Sequence, residues 1–114
     1  MNNEPGPKLD KGKCVPCRAG GEPLNREDIE KLLGHLAEGW KVIDQSYLEK
    51  EYKFKNFRLA LDFVNKVGEL AESEGHHPDI YLAWGMVRLK IWTHKINGLH
   101  NNDFILAAKT DALQ

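Results

Sequence analysis

The segment Glu72-Ser-Glu-Gly-His-His-Pro-Asp79 closes the longest apolar-striped run in the chain, and its residues fix how that run must end. Phe57, Ala60, Leu61, Val64, Val67, Leu70 and Ala71 recur at helical spacing behind Asn56, a residue type suited to helix N-caps. The spacing predicts a helix from Phe57 to Glu74. Gly75 can adopt the left-handed conformation that stops a helix. Pro78 then restricts His77 to extended backbone. Adjacent side chains on an extended segment point to opposite sides, so His76 and His77 are expected to differ in task, one facing a pocket and the other supporting it. Glu72 lies one helical turn before His76, near a helix C-terminus where a negative charge is mildly unfavourable, and His76 is its nearest candidate partner.

On both sides of this helix the hydrophobic period changes to two. Trp40–Asp44 and Leu48–Phe54 read as a hairpin, because Leu48, Tyr52 and Phe54 alternate with Glu49, Glu51 and Lys53. Ile80–Trp84 and Met86–Thr93 read as a second hairpin turning at Gly85. Its last strand directs Val87, Leu89, Ile91 and Thr93 to one face and Arg88, Lys90, Trp92 and His94 to the other. Trp92 there is either a lone exposed aromatic or part of a subunit or ligand surface. A first helix, Arg26 to Ala37, is expected behind Asn25, with Ile29, Leu32, Leu33 and Leu36 inward, His35 on the surface and Gly39 as the stop. A third, Asn101 to Leu113, is expected to turn Phe104, Ile105, Ala108 and Ala112 inward. Asp103 falls in its first turn, where the helix dipole favours a carboxylate. Hairpins without βαβ alternation imply an α+β fold: a four-stranded antiparallel sheet with three helices packed on one face.

At 114 residues the chain is long enough for one core. Residues 1–22, rich in Pro, Gly, Asn and Lys, read as an irregular lead-in, and 23–114 as the α+β domain. The lead-in holds the only two cysteines, Cys14 and Cys17. A redox pair would normally open a helix, and a zinc site would need two more ligands, so two reduced cysteines in a structured turn is the simplest reading. A formal net charge of −1 argues against nucleic acid or an anionic membrane surface as main partner. No apolar run is long enough for a signal-peptide core or a transmembrane span, so the cytoplasm is the expected compartment.

Glu72, three residues, His76-His77-Pro78, five residues, Trp84, nine residues, His94, eight residues, Asp103 resembles the signature of the pterin-4a-carbinolamine dehydratase family. The order helix, hairpin, helix, hairpin, helix is similar as well. The resemblance implies dehydration of a 4a-hydroxytetrahydropterin to the quinonoid dihydropterin, as in tetrahydrobiopterin recycling, without a metal or organic cofactor. It implies that His76, His77 and His94 line the pterin pocket, with His76 and His94 as the proton-transfer pair. Glu72 would then hold His76 in one tautomer, Asp103 would support His94 or the bound ring, and Trp84 would belong to the substrate site. Homodimers or homotetramers are implied too, with sheets joined edge to edge or helices paired. One departure is His100, where the family usually has Ser or Thr capping the last helix.

Three other readings compete: a zinc site built from the histidines and carboxylates; a scaffold without turnover, since animal family members also serve a homeodomain transcription factor as dimerisation partner; and a dehydratase acting on a molybdopterin-type pterin.

Overall fold

The computed structural model describes residues 22–114; the lead-in expected for 1–22, with Cys14 and Cys17, lies outside the described residues except for Glu22. Helix α1 (Arg26–Leu33) is followed by strands β1 (Lys41–Ile43) and β2 (Tyr47–Lys53), helix α2 (Phe57–Glu74), strands β3 (Asp79–Ala83) and β4 (Met86–Ile91), and helix α3 (Asn101–Asp111). A single 3-10 turn, His94–Ile96, links β4 to α3. The strands form one antiparallel sheet in the order β1-β2-β4-β3, so the expected α+β architecture holds.

Each boundary has a local cause. Asn25 and Asn56 cap α1 and α2 through their side-chain oxygens, which accept from Asp28 N and Leu59 N, both at 2.9 Å. α1 ends at Leu33, four residues earlier than the sequence pattern suggests, because His35 N and Leu36 N donate back three residues to Leu32 and Leu33, tightening the chain out of the α-helix. The β1–β2 turn places Asp44 and Gln45 both at positive φ, the backbone twist that suits a hairpin. β4 stops at Ile91, two residues short of expectation: Thr93 exchanges backbone bonds with Gly98 and folds the intervening residues into the 3-10 turn.

One face of the sheet carries the core. Leu48 and Tyr52 of β2 and Val87, Leu89 and Ile91 of β4 are buried with Ile29 of α1, Ala60, Phe63 and Val67 of α2, and Phe104, Leu106 and Ala107 of α3. Two helical stripes differ from the expected ones. Phe63 is buried while Phe57, at the helix start, stays 44% exposed. In α3 Phe104 is buried as expected, but it is joined by Leu106 and Ala107, with Ile105 and Ala108 half-buried and Ala112 exposed. α3 is inward over more than a stripe, so its apolar spacing carries little information about its face.

The sheet's core face also holds a lysine. Lys50, between Leu48 and Tyr52, donates its Nζ to Asp111 Oδ1 at 2.7 Å, and Trp40 Nε1 donates to Asp111 Oδ2 at 2.9 Å. The Tyr52 hydroxyl donates to Asp111 as well. Asp111 therefore anchors the end of α3 to the first hairpin. Burial, and then the hydrogen bond to a carboxylate that would repel a phenolate, push the Tyr52 hydroxyl well above the ordinary tyrosine range. The neutral phenol is the form the fold favours.

Asp111→Ala strips three donors of their acceptor and is expected to cost about 3 kcal/mol in urea unfolding, whereas Arg26→Ala, which breaks only an exposed helix pair, should cost under about 0.5 kcal/mol. Because the folded state raises the Tyr52 value, its stabilisation is complete below the unfolded value of about pH 10 and fades as pH rises beyond it. Unfolding midpoints compared at about pH 8 and about pH 11 should fall more for the wild type than for Tyr52→Phe.

Candidate active site

The end of α2 is built as the sequence requires. Gly75 sits at φ +64°, and His76 N donates back to Ala71 O at 3.2 Å, the six-residue closure of a glycine-terminated helix. Glu74 pairs with Lys109 at 3.4 Å, holding the helix end against α3. The chain then leaves with His76 turned inward and His77 turned outward, which separates the two histidines as expected.

The partner of His76 is not the expected one. His76 Nε2 lies 2.6 Å from Oδ1 of Asp103, not against Glu72. Glu72 instead meets His77, Oε2 to Nε2 at 2.6 Å, in a pair exposed to solvent. The geometry of the helix stop explains the exchange. After the left-handed Gly75 the chain no longer follows the helix, so a spacing of four residues ceases to mean the same face, and the inward position falls to His76 beside α3.

Asp103 is the centre of this arrangement. Its side chain is fully buried, yet both oxygens are satisfied: Oδ1 by His76, and Oδ2 by the Thr93 hydroxyl and the His100 backbone N–H, each at 2.8 Å. It also lies in the first turn of α3, where the helix dipole favours its charge. Because a carboxylate only accepts, the proton between Asp103 and His76 belongs to Nε2. His76 is thereby fixed in the tautomer that carries its proton on Nε2 and its lone pair on Nδ1.

His94 opens the 3-10 turn on the opposite side of the strand from Thr93 and is exposed. Its ring packs on Trp92 with centroids 4.3 Å apart, and Trp92 is half-buried in a row with Tyr47, whose ring centroid is 6.2 Å from its own. Asp103 does not contact His94; it holds the neighbouring Thr93 instead. Trp84 is not brought to the histidines. It sits on the β3–β4 turn, 68% exposed, at the far end of a five-residue strand that spans roughly 17 Å. A groove of about 420 Å³ between α2 and β3 is lined by Gly68, Glu72, His77, Pro78 and Ile80 among others, within the range of small-molecule clefts. A smaller hollow of about 160 Å³ lies beside Trp92, with Tyr47, Lys90 and Asn97. Among the described residues, no three His, Cys, Asp or Glu side chains converge as a metal-holding group.

Of two further contributors, the sequence marked the capping position of His100 but not the role of Thr93. Thr93 could have been suspected from its inward parity on β4, but its hydroxyl partner lies ten residues away. His100 caps α3, Nδ1 accepting from Asn102 N at 3.2 Å, although histidine is not among the usual capping residues.

The molecule is thus an α+β domain with a buried Asp103–His76 pair and a separate histidine, His94, stacked on Trp92. Residues 22–113 match the model of the pterin 4 alpha carbinolamine dehydratase family, and the chain belongs to that family. It is 49% identical over 114 residues to a protein of Alkaliphilus metalliredigens named as a candidate pterin-4-alpha-carbinolamine dehydratase, covering 100% of this chain and 98% of the relative. A protein of the same name from Methylococcus capsulatus is 54% identical over 102 residues, 89% of each chain. Among solved structures, a transcriptional coactivator/pterin dehydratase from Brucella melitensis superimposes with a TM-score of 0.76 at 29% identity, over 81% of this chain and 98% of that one. A pterin dehydratase-like RuBisCO assembly factor of the alpha-carboxysome shares the fold, with a TM-score of 0.58 at 22% identity over 67% of this chain and 89% of that one.

Asp103→Ala leaves His76, Thr93 and a backbone N–H without their acceptor and is expected to cost about 3 kcal/mol, with Thr93→Val costing about 1 to 2 kcal/mol. Glu72→Ala should stay within about 0.5 kcal/mol, because its pair with His77 is exposed. Chemical unfolding of the three variants checks this order.

Proposed function

We propose that the chain dehydrates a 4a-hydroxytetrahydropterin to the quinonoid dihydropterin, with His76 and His94 as the proton-transfer pair and His77 at the rim of the pocket. Membership of the dehydratase family supports the reaction class. The observation that carries the assignment of residues is the buried Asp103 holding Nε2 of His76.

The chemistry needs two proton movements. The bond from C4a to its hydroxyl oxygen breaks as the N5 lone pair forms the N5–C4a double bond, and the departing hydroxide must receive a proton to leave as water. N5 must lose its own proton. Histidine suits both tasks near neutral pH. His76 accepts the N5 proton at Nδ1: the resulting imidazolium still donates Nε2–H to Asp103, whose charge stabilises it, the arrangement by which a buried carboxylate supports a general base. His94, exposed beside Trp92, gives the leaving oxygen its proton and is recharged from solvent. The quinonoid product carries no proton from the protein, so the two histidines return to their starting states by exchanging one proton through water.

The reading includes a homo-oligomer, dimer or tetramer, acting in the cytoplasm. The exposed Ile80 and Tyr81 on the edge strand β3, and Trp84 on the turn that follows it, support association. A transcriptional-coactivator role, which the name of the Brucella melitensis relative carries, would not need the histidines.

Stopped-flow absorbance of freshly generated 4a-hydroxytetrahydrobiopterin, in chelator, tests the proposal. The wild type should accelerate decay to the quinonoid dihydropterin, and His76→Ala and His94→Ala should each lose about a hundredfold or more of that acceleration. A wild-type trace no faster than spontaneous decay would overturn it and move the assignment to a molybdopterin-type pterin or to the scaffold.

A further inference from the structure

The three described α-helices are each capped by a side chain, two by Asn Oδ1 and the third by an imidazole. That third cap stands next to the candidate catalytic group. His100 Nδ1 accepts from Asn102 N, and its own N–H donates to Asp103 Oδ2, the carboxylate whose other oxygen holds His76. The cap thus closes reciprocally: the side chain of His100 ties down the first turn of α3, and the first turn returns Asp103 to the backbone of His100.

Two bonds fix Oδ2, from Thr93 and from the His100 backbone, and so decide where Oδ1 points. The Thr93 hydroxyl can rotate with its acceptor. The His100 N–H cannot, because it is part of the backbone leading into α3. Its position is set by how the helix begins, and that depends on the Nδ1 cap.

We infer that His100 is a positioning residue for the proposed reaction: by capping α3 through Nδ1 it places its backbone N–H and Asp103 so that His76 keeps Nε2–H on the carboxylate and Nδ1 toward the substrate. The inference rests on the dehydratase reading for its kinetic consequence, but its structural half concerns His76 alone. His100 acts through Asp103, and an oxygen-bearing cap at the same position would do the same work.

The test compares His100→Ala, which removes the cap, with His100→Ser, which supplies a hydroxyl acceptor. His100→Gly, whose capping penalty is only a few tenths of a kcal/mol relative to a polar cap, replaces the alanine variant if that does not fold. For each, kcat and KM are measured by stopped flow, and the His76 ring nitrogens are followed by ¹⁵N NMR of the full chain. His100→Ala is expected to lower kcat about five- to tenfold, to leave KM within about twofold, and to shift His76 from a single Nε2–H tautomer to a mixture. His100→Ser should recover both kcat and the single tautomer.

An unchanged His76 tautomer in His100→Ala overturns the inference, as does a His100→Ser variant as impaired as the alanine one, which would give the imidazole itself a direct role. If the wild type shows no dehydratase activity while the tautomer still responds to the cap and is rescued by serine, the proposed function fails and the positioning of His76 by His100 stands.

Discussion

The structure depends on one buried carboxylate. Asp103 has no contact with solvent, a position that would be costly for an unpaired charge, and it is tolerable because three donors and a helix N-terminus face it. Those donors come from separate parts of the chain: the end of α2 through His76, the exit from β4 through Thr93, and the entry to α3 through His100. A single side chain therefore sets where the second hairpin, the long helix and the last helix meet. The chemistry proposed for His76 is a consequence of this same joint, since the bond that satisfies the carboxylate also chooses which ring nitrogen keeps its lone pair.

α3 carries a second acid with the same logic. Asp111 stands eight residues after Asp103, about 12 Å along the helix, and takes donors from Trp40, Lys50 and Tyr52. One end of α3 is thus bolted to the candidate active site and the other to the first hairpin. Its apolar residues fill the core between the two. This explains why a helix with weak amphipathic patterning is nevertheless among the most deeply buried parts of the molecule. Its orientation is set by two polar anchors as much as by hydrophobic spacing.

The solvent side of the sheet works differently. Arg88 donates to Glu51 across β2 and β4 and packs over Tyr81 on β3, while Lys90 lies 4.2 Å from the Tyr47 ring centroid and 5.4 Å from that of Trp92. These are partly exposed contacts of modest strength. His94 continues this row, stacked on Trp92, so its ring is held by a surface packing contact while His76 is held by a buried charge. The two histidines proposed to share a reaction thus differ in how rigidly they are kept, and that difference suits one to a fixed orientation and the other to proton exchange with water.

Much of this was readable in the chain as written. The apolar periods located the four strands and three α-helices, Gly75 and Pro78 set the exit of α2, and the alternation running on from β4 put Thr93 inward and His94 outward, because each of these follows from local backbone sterics and side-chain parity. The spacing of Glu72, His76, His77, Trp84, His94 and Asp103 identified the family. Partner choice was another matter. Glu72 was expected to hold His76 and holds His77; Asp103 was expected to support His94 or the bound ring and holds His76 and Thr93; Trp84 lies at the opposite end of β3 from His76 and His77. These contacts are decided by the left-handed turn at Gly75 and by the packing of α3 against the end of α2 and the exit of β4. Sequence by itself determined which residues have the chemistry, because side-chain type and local period are properties of the chain; only the tertiary structure decided which of them meet, because a hydrogen bond across α2, β4 and α3 depends on the packing of all three.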